Sequence, residues 1–316
     1  MVRGIRSGSF ADAIPSEGRI LRRRQSKGIE ERLVRWIFAS CALVSVVTTI
    51  GIVVLLLNQS AGFFAEVSVW EFITGTRWSP ILKPNDYGVL PLVCGTLLVA
   101  VLASAVAVPV GLATAIFLSE YAPDRVRRVI KPALEVLAGI PTIVYGYFAL
   151  SFVTPLLQKA MPDLLIFNAL SAGVVMGLMI IPMVSSLSED AMLAVPRSLR
   201  HAAYALGATR LEVALKVVVP AALSGIVAAF ILGLSRAIGE TMLVTLAAGA
   251  TPKMTINPLE SIQTMTAYIV QLSQGETPHG SLEYNTIFAV GLVLFLMTLA
   301  MNMLGQWVVQ RYRETY

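Results

Sequence analysis

In this chain of 316 residues 56% are apolar and only 14% are charged, and the mean hydropathy is +0.74. A soluble domain carries about a quarter charged residues, so the composition excludes one and makes lipid the solvent. The length suits roughly six spans of about 20 residues plus loops, and the net charge of +5 does not indicate nucleic acid, because the basic residues collect in the N-terminal tail and in short loops between apolar runs.

Residues 1–32, with Arg22-Arg23-Arg24 at their centre, read as a disordered basic tail. The run Leu33–Leu57 is too long for a cleaved signal peptide and reads as a retained first span. Residues 58–88 then form an external loop whose Trp70, Phe72, Trp78 and Tyr87 suit an aromatic belt at headgroup level, with a dedicated binding surface as the alternative. Residues 89–310 hold five further runs, at about Leu90–Leu118, Ala133–Leu157, Leu164–Leu187, Val217–Ala250 and Thr286–Val309. Each is long enough to cross the hydrocarbon core, and in lipid only helices satisfy their own backbone at that length. The predicted fold class is therefore all-α, polytopic, with about six transmembrane helices.

Orientation follows from Lys and Arg. With the N-terminus inside, nineteen basic residues fall on the cytoplasmic side, against Arg77, Lys83, Lys159 and Lys253 outside, so both termini are expected in the cytoplasm. Cys41 and Cys94 lie inside apolar runs and read as small core or lipid-facing residues. Ala103, Ala107, Gly111 and Ala115, and Gly173 with Gly177, have the four-residue spacing that lets helices approach closely.

The loop between the fourth and fifth runs, residues 188–219, carries the most information. Pro196 suits the first turn of a short helix, Gly207 the left-handed residue that ends it, and Pro220 opens the next span. Ala202, Ala203 and Leu206 share a face that would offer a small apolar patch to a soluble partner. An amphipathic helix lying on the membrane fits the same residues. The spacing His201-Ala202-Ala203, then Gly207, then Val217-Val218-Val219-Pro220 resembles the EAA loop of ABC importer permeases, with His201 where that family has Glu. Three more segments are similar to the phosphate permeases, and in their order to the PstC type: Glu120-Tyr121-Ala122-Pro123, Gly139-Ile140-Pro141-Thr142-Ile143-Val144-Tyr145-Gly146 and Arg236-Ala237-Ile238-Gly239-Glu240-Thr241.

The resemblance implies a type I ABC importer permease fold in a bacterial inner membrane. It also implies a coupling helix (His201, Ala202, Ala203, Leu206, Gly207) docked on an ATPase. The implied partners are a second, PstA-like permease, two PstB-like ATP-binding subunits and an external PstS-like phosphate-binding protein. The chain holds no GxxxxGK[ST] phosphate loop, so ATP is expected on a partner and no cofactor or metal on this chain.

Arg236 and Glu240 read as the only strong charges deep within a span, where arginine costs roughly 2.5–3.5 kcal/mol. Four residues apart on one helix they would pair, either as architecture or as a gate on an anion path. Arginine suits phosphate through its planar fork of donors. Thr142 and Tyr145 could add hydroxyl donors to that path, or bond to nearby backbone. His201 and His279 lack companions at metal-ligand spacing, and no catalytic constellation assembles at membrane depth. An ion-coupled phosphate transporter would need inverted repeats and several intramembrane ionisable groups, which the sequence does not display. Sulfate and molybdate permeases are the nearest rivals within the ABC class, because those anions are also tetrahedral.

Overall fold

The computed structural model describes residues 17–311 apart from Leu82, Glu276 and His279, with side chains from Glu31 onward. Residues 1–16 of the predicted tail and His279 lie outside the described residues. Two compact units divide the chain between Leu55 and Leu56. The first consists of the leading part of α1 (Glu17–Glu66), whose side chains are exposed from 31 to 52. The tail predicted as disordered over 1–32 is therefore helical from Glu17. No proline falls between Pro15 and Pro80, and the Glu, Arg, Leu and Gln of the leader outnumber its two helix-opposing glycines, Gly18 and Gly28.

The second unit begins with the last turns of α1 and continues through α2 (Val69–Thr74) and a hairpin of β1 (Trp78–Ser79) and β2 (Asp86–Tyr87). The expected external loop is thus helical as far as Glu66. Its aromatics do not form a belt. Phe72, Trp78 and Tyr87 are 1%, 4% and 8% exposed, and only Trp70 faces outward. Phe63 meets the rings of Phe72 and Tyr87 edge-on at 5.5 Å, and Trp78 meets Tyr268 at 5.0 Å. Edge-to-face pairs of this kind add to area burial, so the segment folds into an aromatic core.

Next come α3 (Leu90–Ile116), prolonged by a π-turn over Phe117–Tyr121, then α4 (Asp124–Gly139), α5 (Thr142–Phe148) and α6 (Thr154–Gln158). The chain continues through α7 (Ala169–Leu193), α8 (Arg197–Ala205), α9 (Arg210–Val213), α10 (Val219–Ala221) and α11 (Leu223–Ile238). It closes with α12 (Met242–Ala247), α13 (Met265–Ser273) and α14 (Leu282–Arg311).

Among the described residues four helices are long and apolar enough to cross a membrane, or six if each of two bent pairs is one span. The third predicted run bends by 88° between α4 and the α5–α6 segment. Pro141 causes it: proline lacks a donor and disfavours helix at the residue before it, and Ile140 is extended at φ −67°, ψ 130°. The fifth run bends by 73° at Ala222, beside Pro220, and breaks again between α11 and α12. The fourth starts later than expected, because the Asn168 side chain accepts from Ser171 N at 2.6 Å and caps α7.

At the centre stands α7, with 67% of its most apolar window buried against 33% for α3 and 11% for α14. The small-residue spacing predicts close helix approach, and the structure shows α3 to be the partner of the α7 glycines. A Cβ on Gly177 would lie 2.7 Å from the Val106 Cβ and 2.8 Å from the Ala103 carbonyl oxygen. Close backbone approach of this kind replaces the hydrophobic drive that lipid cannot supply.

Candidate transport and coupling sites

The loop after α7 folds into two short, well-capped helices. α8 ends in a Schellman closure: Ala208 N donates to Ala203 O at 3.1 Å and Gly207 N to Tyr204 O at 3.0 Å. Gly207 has φ +83°, the left-handed conformation expected of it. Thr209 then opens α9 with a capping box, its N donating to Glu212 Oε2 at 3.0 Å and its Oγ1 accepting from Glu212 N at 3.4 Å.

Of the predicted coupling residues, His201, Ala202, Leu206 and Gly207 are exposed. Leu206 is 89% exposed, the most open large apolar side chain described. Ala203 departs from the expected common face, because it packs half-buried on the chain's own cluster around Val195, Val213 and Val218. The outward patch is therefore Ala202 and Leu206, flanked by Tyr204.

Arg200 ties this helix to the end of α3. Its Nη2 donates to Glu120 Oε1 at 3.0 Å and Met192 O at 2.8 Å, its Nη1 to Val195 O at 2.7 Å. Glu120 was quoted above only for its family motif, and here it anchors α8. Sequence spacing could not join the two residues, which stand 80 positions apart.

The predicted substrate-path residues lie on two broken spans that pack together. A Cβ on Gly146 of α5 would meet Leu243 Cα of α12 at 3.1 Å, so the two half-helices touch directly. Arg236 is exposed on the last turn of α11. Glu240 is 8% exposed and lies beyond the helix end at Ile238. The expected pairing of Arg236 with Glu240 is not formed among the described residues, since the four-residue register is lost where the helix stops. Instead Glu240 Oε1 accepts from Leu243 N at 3.4 Å, at the start of α12, and its carbonyl accepts from Thr266 Oγ1 at 2.7 Å. The Tyr145 hydroxyl donates to Leu137 O at 2.8 Å across the Pro141 bend, which engages its proton with backbone. Thr142, half-buried in the first turn of α5, keeps its hydroxyl without a partner among the described residues.

One strongly charged group escaped the sequence reading. Glu189 is fully buried near the end of α7, within ion-pair distance of Arg127 Nε at 2.6 Å and Lys131 Nζ at 3.4 Å on α4. Arg236 and Glu240 are thus not alone as charges within the bundle. The available signal was Ser188-Glu189-Asp190, which follows an apolar run predicted to stop at Leu187 while the helix continues to Leu193.

Apolar helices around a small-residue core, two spans broken where polar residues cluster and a short helix offered outward at one end define a multi-pass transport component of the membrane. The chain belongs to the family of binding-protein-dependent transport system inner membrane components, whose pattern matches residues 107–314. It is similar to the probable ABC transporter permease protein YqgH of Bacillus subtilis, at 36% identity over 93% of this chain and 95% of that protein. It is also similar to the phosphate transport system permease proteins PstC of Xylella fastidiosa and Haemophilus influenzae. Each is 34% identical, covering 76% and 78% of this chain and 79% and 82% of theirs. Among solved structures, the bacterial ABC transporter that imports the acidic polysaccharide alginate aligns over 92% of this chain and 100% of the matched chain, at TM-score 0.63 and 14% identity. An inward-facing MetNI methionine ABC transporter aligns over 71% and 96%, at TM-score 0.55 and 19% identity. At these identities the two structures speak for the fold alone; the family match and the curated relatives make the chain a multi-pass ABC importer permease of the inner membrane.

Proposed function

We propose that this chain is the PstC-like permease subunit of an ATP-driven phosphate importer, working with a PstA-like second permease, two PstB-like ATPases and a PstS-like binding protein. In this reading both termini are cytoplasmic and α8 docks in the ATPase through Ala202 and Leu206. The observation that carries it is the Arg236–Glu240 break, found in a chain about a third identical to PstC proteins along three quarters of its length. Arg236 reaches the end of α11 with no ion partner among the described residues, so its guanidinium is free for an oxyanion. Glu240 and Thr142 flank the broken helices as acceptor and donor, and Tyr145 shapes the bend.

The full importer, reconstituted with its binding protein, should take up labelled phosphate only with ATP, and excess sulfate or molybdate should not compete. Uptake of labelled sulfate with none of phosphate would transfer the chain to the rival oxyanion class.

A further inference from the structure

The outward side of α8 carries charge of one sign. Residues 191–211 hold Arg197, Arg200, His201 and Arg210 and no Asp or Glu. The acids that border this stretch are engaged elsewhere. Asp190 stands 3.4 Å from Lys131, Glu120 holds Arg200, and Glu212 accepts from Thr209 N and Lys216 Nζ. Arg200 is therefore spent on the chain itself. Arg197, His201 and Arg210 are exposed, and their side chains have no hydrogen-bond or ion partner among the described residues. Arg197 and His201 stand four residues apart, so they form one ridge along the helix.

The rest of the helix favours a protein surface over a membrane surface as its cover. A helix that lies on a membrane buries large apolar side chains such as Leu, Phe or Trp in the headgroup region. In α8 the apolar side is already used, because Leu199 and Ala203 pack partly buried on the chain's own cluster around Val195, Val213 and Val218. Beside the cationic ridge the exposed residues are Ser198, Ala202 and Ala205, which offer lipid little to hold. Tyr204 and Leu206 follow at the C-terminal end, 41% and 89% exposed. Small side chains let a second protein surface come close, and Leu206 gives that surface one apolar anchor to enclose.

We propose that the surface receiving α8 is an apolar slot with carboxylates at its rim, where Leu206 fills the slot and Arg197 and His201 donate to the carboxylates. That the slot belongs to the ATP-binding subunit rests on the docking role given to α8 in the importer reading above. The guanidinium of Arg197 matches a carboxylate with two parallel donors, and the His201 ring adds an N–H beside it. Charges at the rim of an interface set encounter rate and partner choice more than affinity, and like charges across it are repelled. Arg197 and His201 thus select which ATP-binding subunit this permease accepts: one with an acidic rim is held, and one with a basic rim is refused.

The test uses the complete importer in nanodiscs of phosphatidylcholine and phosphatidylglycerol, lipids with neither carboxylates nor primary amines. Arg197→Lys and, separately, His201→Lys place an amine on the ridge. A soluble carbodiimide activates a carboxylate, and the Lys Nζ then forms an amide while the carbodiimide leaves as a urea carrying the carboxylate oxygen. Each variant should give a product joined to the ATP-binding subunit at an Asp or Glu, which the unsubstituted chain lacks. A photoreactive benzoylphenylalanine at position 206 reports contact without regard to charge and should label the same subunit. Arg197→Glu should weaken association of that subunit by about tenfold at low ionic strength, and the difference should shrink as salt screens it. Photolabelling of the ATP-binding subunit without a carbodiimide product, or with normal association of the Arg197→Glu variant, would overturn the acidic rim and leave the docking of α8 standing. Absence of photolabelling in a complex that hydrolyses ATP would remove the docking role, and the proposal with it. Photolabelling of phospholipid that rises with the phosphatidylglycerol fraction would assign α8 to the membrane surface and also overturn the proposal.

Discussion

Arg200 holds Glu120 across 80 residues of sequence, with side chains only 15% and 5% exposed, and so joins the outward helix α8 to the end of α3. On the docking role proposed for α8, a push from the ATPase would pass through this contact into the helix that packs on α7. Breaking such a pair by removing one partner costs about 3–5 kcal/mol, because the remaining charge is left buried. Arg200→Gln should therefore lower the amount of inserted, assembled subunit. Glu120→Gln combined with Arg200→Gln should restore the amount, since no charge is orphaned, yet leave ATP hydrolysis poorly coupled to uptake. Quantitative blotting beside ATPase and uptake assays checks both. Normal coupling in a fully assembled double variant would reduce the clamp to a local brace.

Gly207 owes its place to conformation alone. A Cβ there would meet nothing within 4 Å, so a substitution suffers only from φ +83°. Left-handed backbone costs a residue with a side chain about 1–2 kcal/mol, least for Asn. Gly207→Val should cut uptake on the order of tenfold at normal abundance, in line with that energy. Gly207→Asn should keep most of it. Equal loss in both variants would mean that bulk against the partner, and not φ, is what matters.

At the break between α11 and α12 the two charges should fail differently. Arg236 has no ion partner among the described residues, so Arg236→Gln should leave abundance intact and reduce uptake by about tenfold or more, the scale of a lost charge-assisted hydrogen bond. Arg236→Lys should recover part of it. Glu240→Gln retains an oxygen that accepts from Leu243 N, whereas Glu240→Leu does not, so only the latter should destabilise the start of α12. If Glu240→Gln abolishes uptake as fully as Glu240→Leu, the carboxylate charge itself serves transport and not just the cap.

Orientation can be read by labelling single cysteines with an impermeant thiol reagent added outside sealed cells. Asn85→Cys and Thr277→Cys should react, while Asp124→Cys and Ser198→Cys should stay protected until the membrane is permeabilised. Reaction at position 198 from outside would contradict α8 as a docking helix for a cytoplasmic ATPase.

Apolar run lengths were enough to foresee helices at every span, and small residues at four-residue spacing were enough to foresee that these helices approach closely, because both follow from local composition; that α3 and α7 are the partners came only with the fold. Gly207 was legible for the same reason, since its turn is local. What stayed hidden depended on distance in the sequence. The partnership of Glu120 with Arg200 and the burial of Glu189 against α4 arise only once α3, α4 and α7 are assembled. The aromatics after the first span looked like an interfacial belt because hydropathy cannot tell lipid-facing rings from rings packed on Phe63 and Tyr268. The pairing of Arg236 with Glu240 failed as an expectation because it assumed an unbroken helix, and the run of apolar residues concealed the stop at Ile238.

Leu206 also bears on how much of this protein a cell can keep. A leucine that is 89% open at the tip of a helix needs cover, and exposed apolar surface is what quality-control proteases and self-association act upon. A copy made in excess of its docking partner would leave that side chain bare. Its lifetime in the membrane would then track the supply of the partner more than its own synthesis. Polar replacement, as in Leu206→Gln, should lengthen the half-life of the orphan subunit while weakening assembly, so stoichiometry would be enforced by a single side chain.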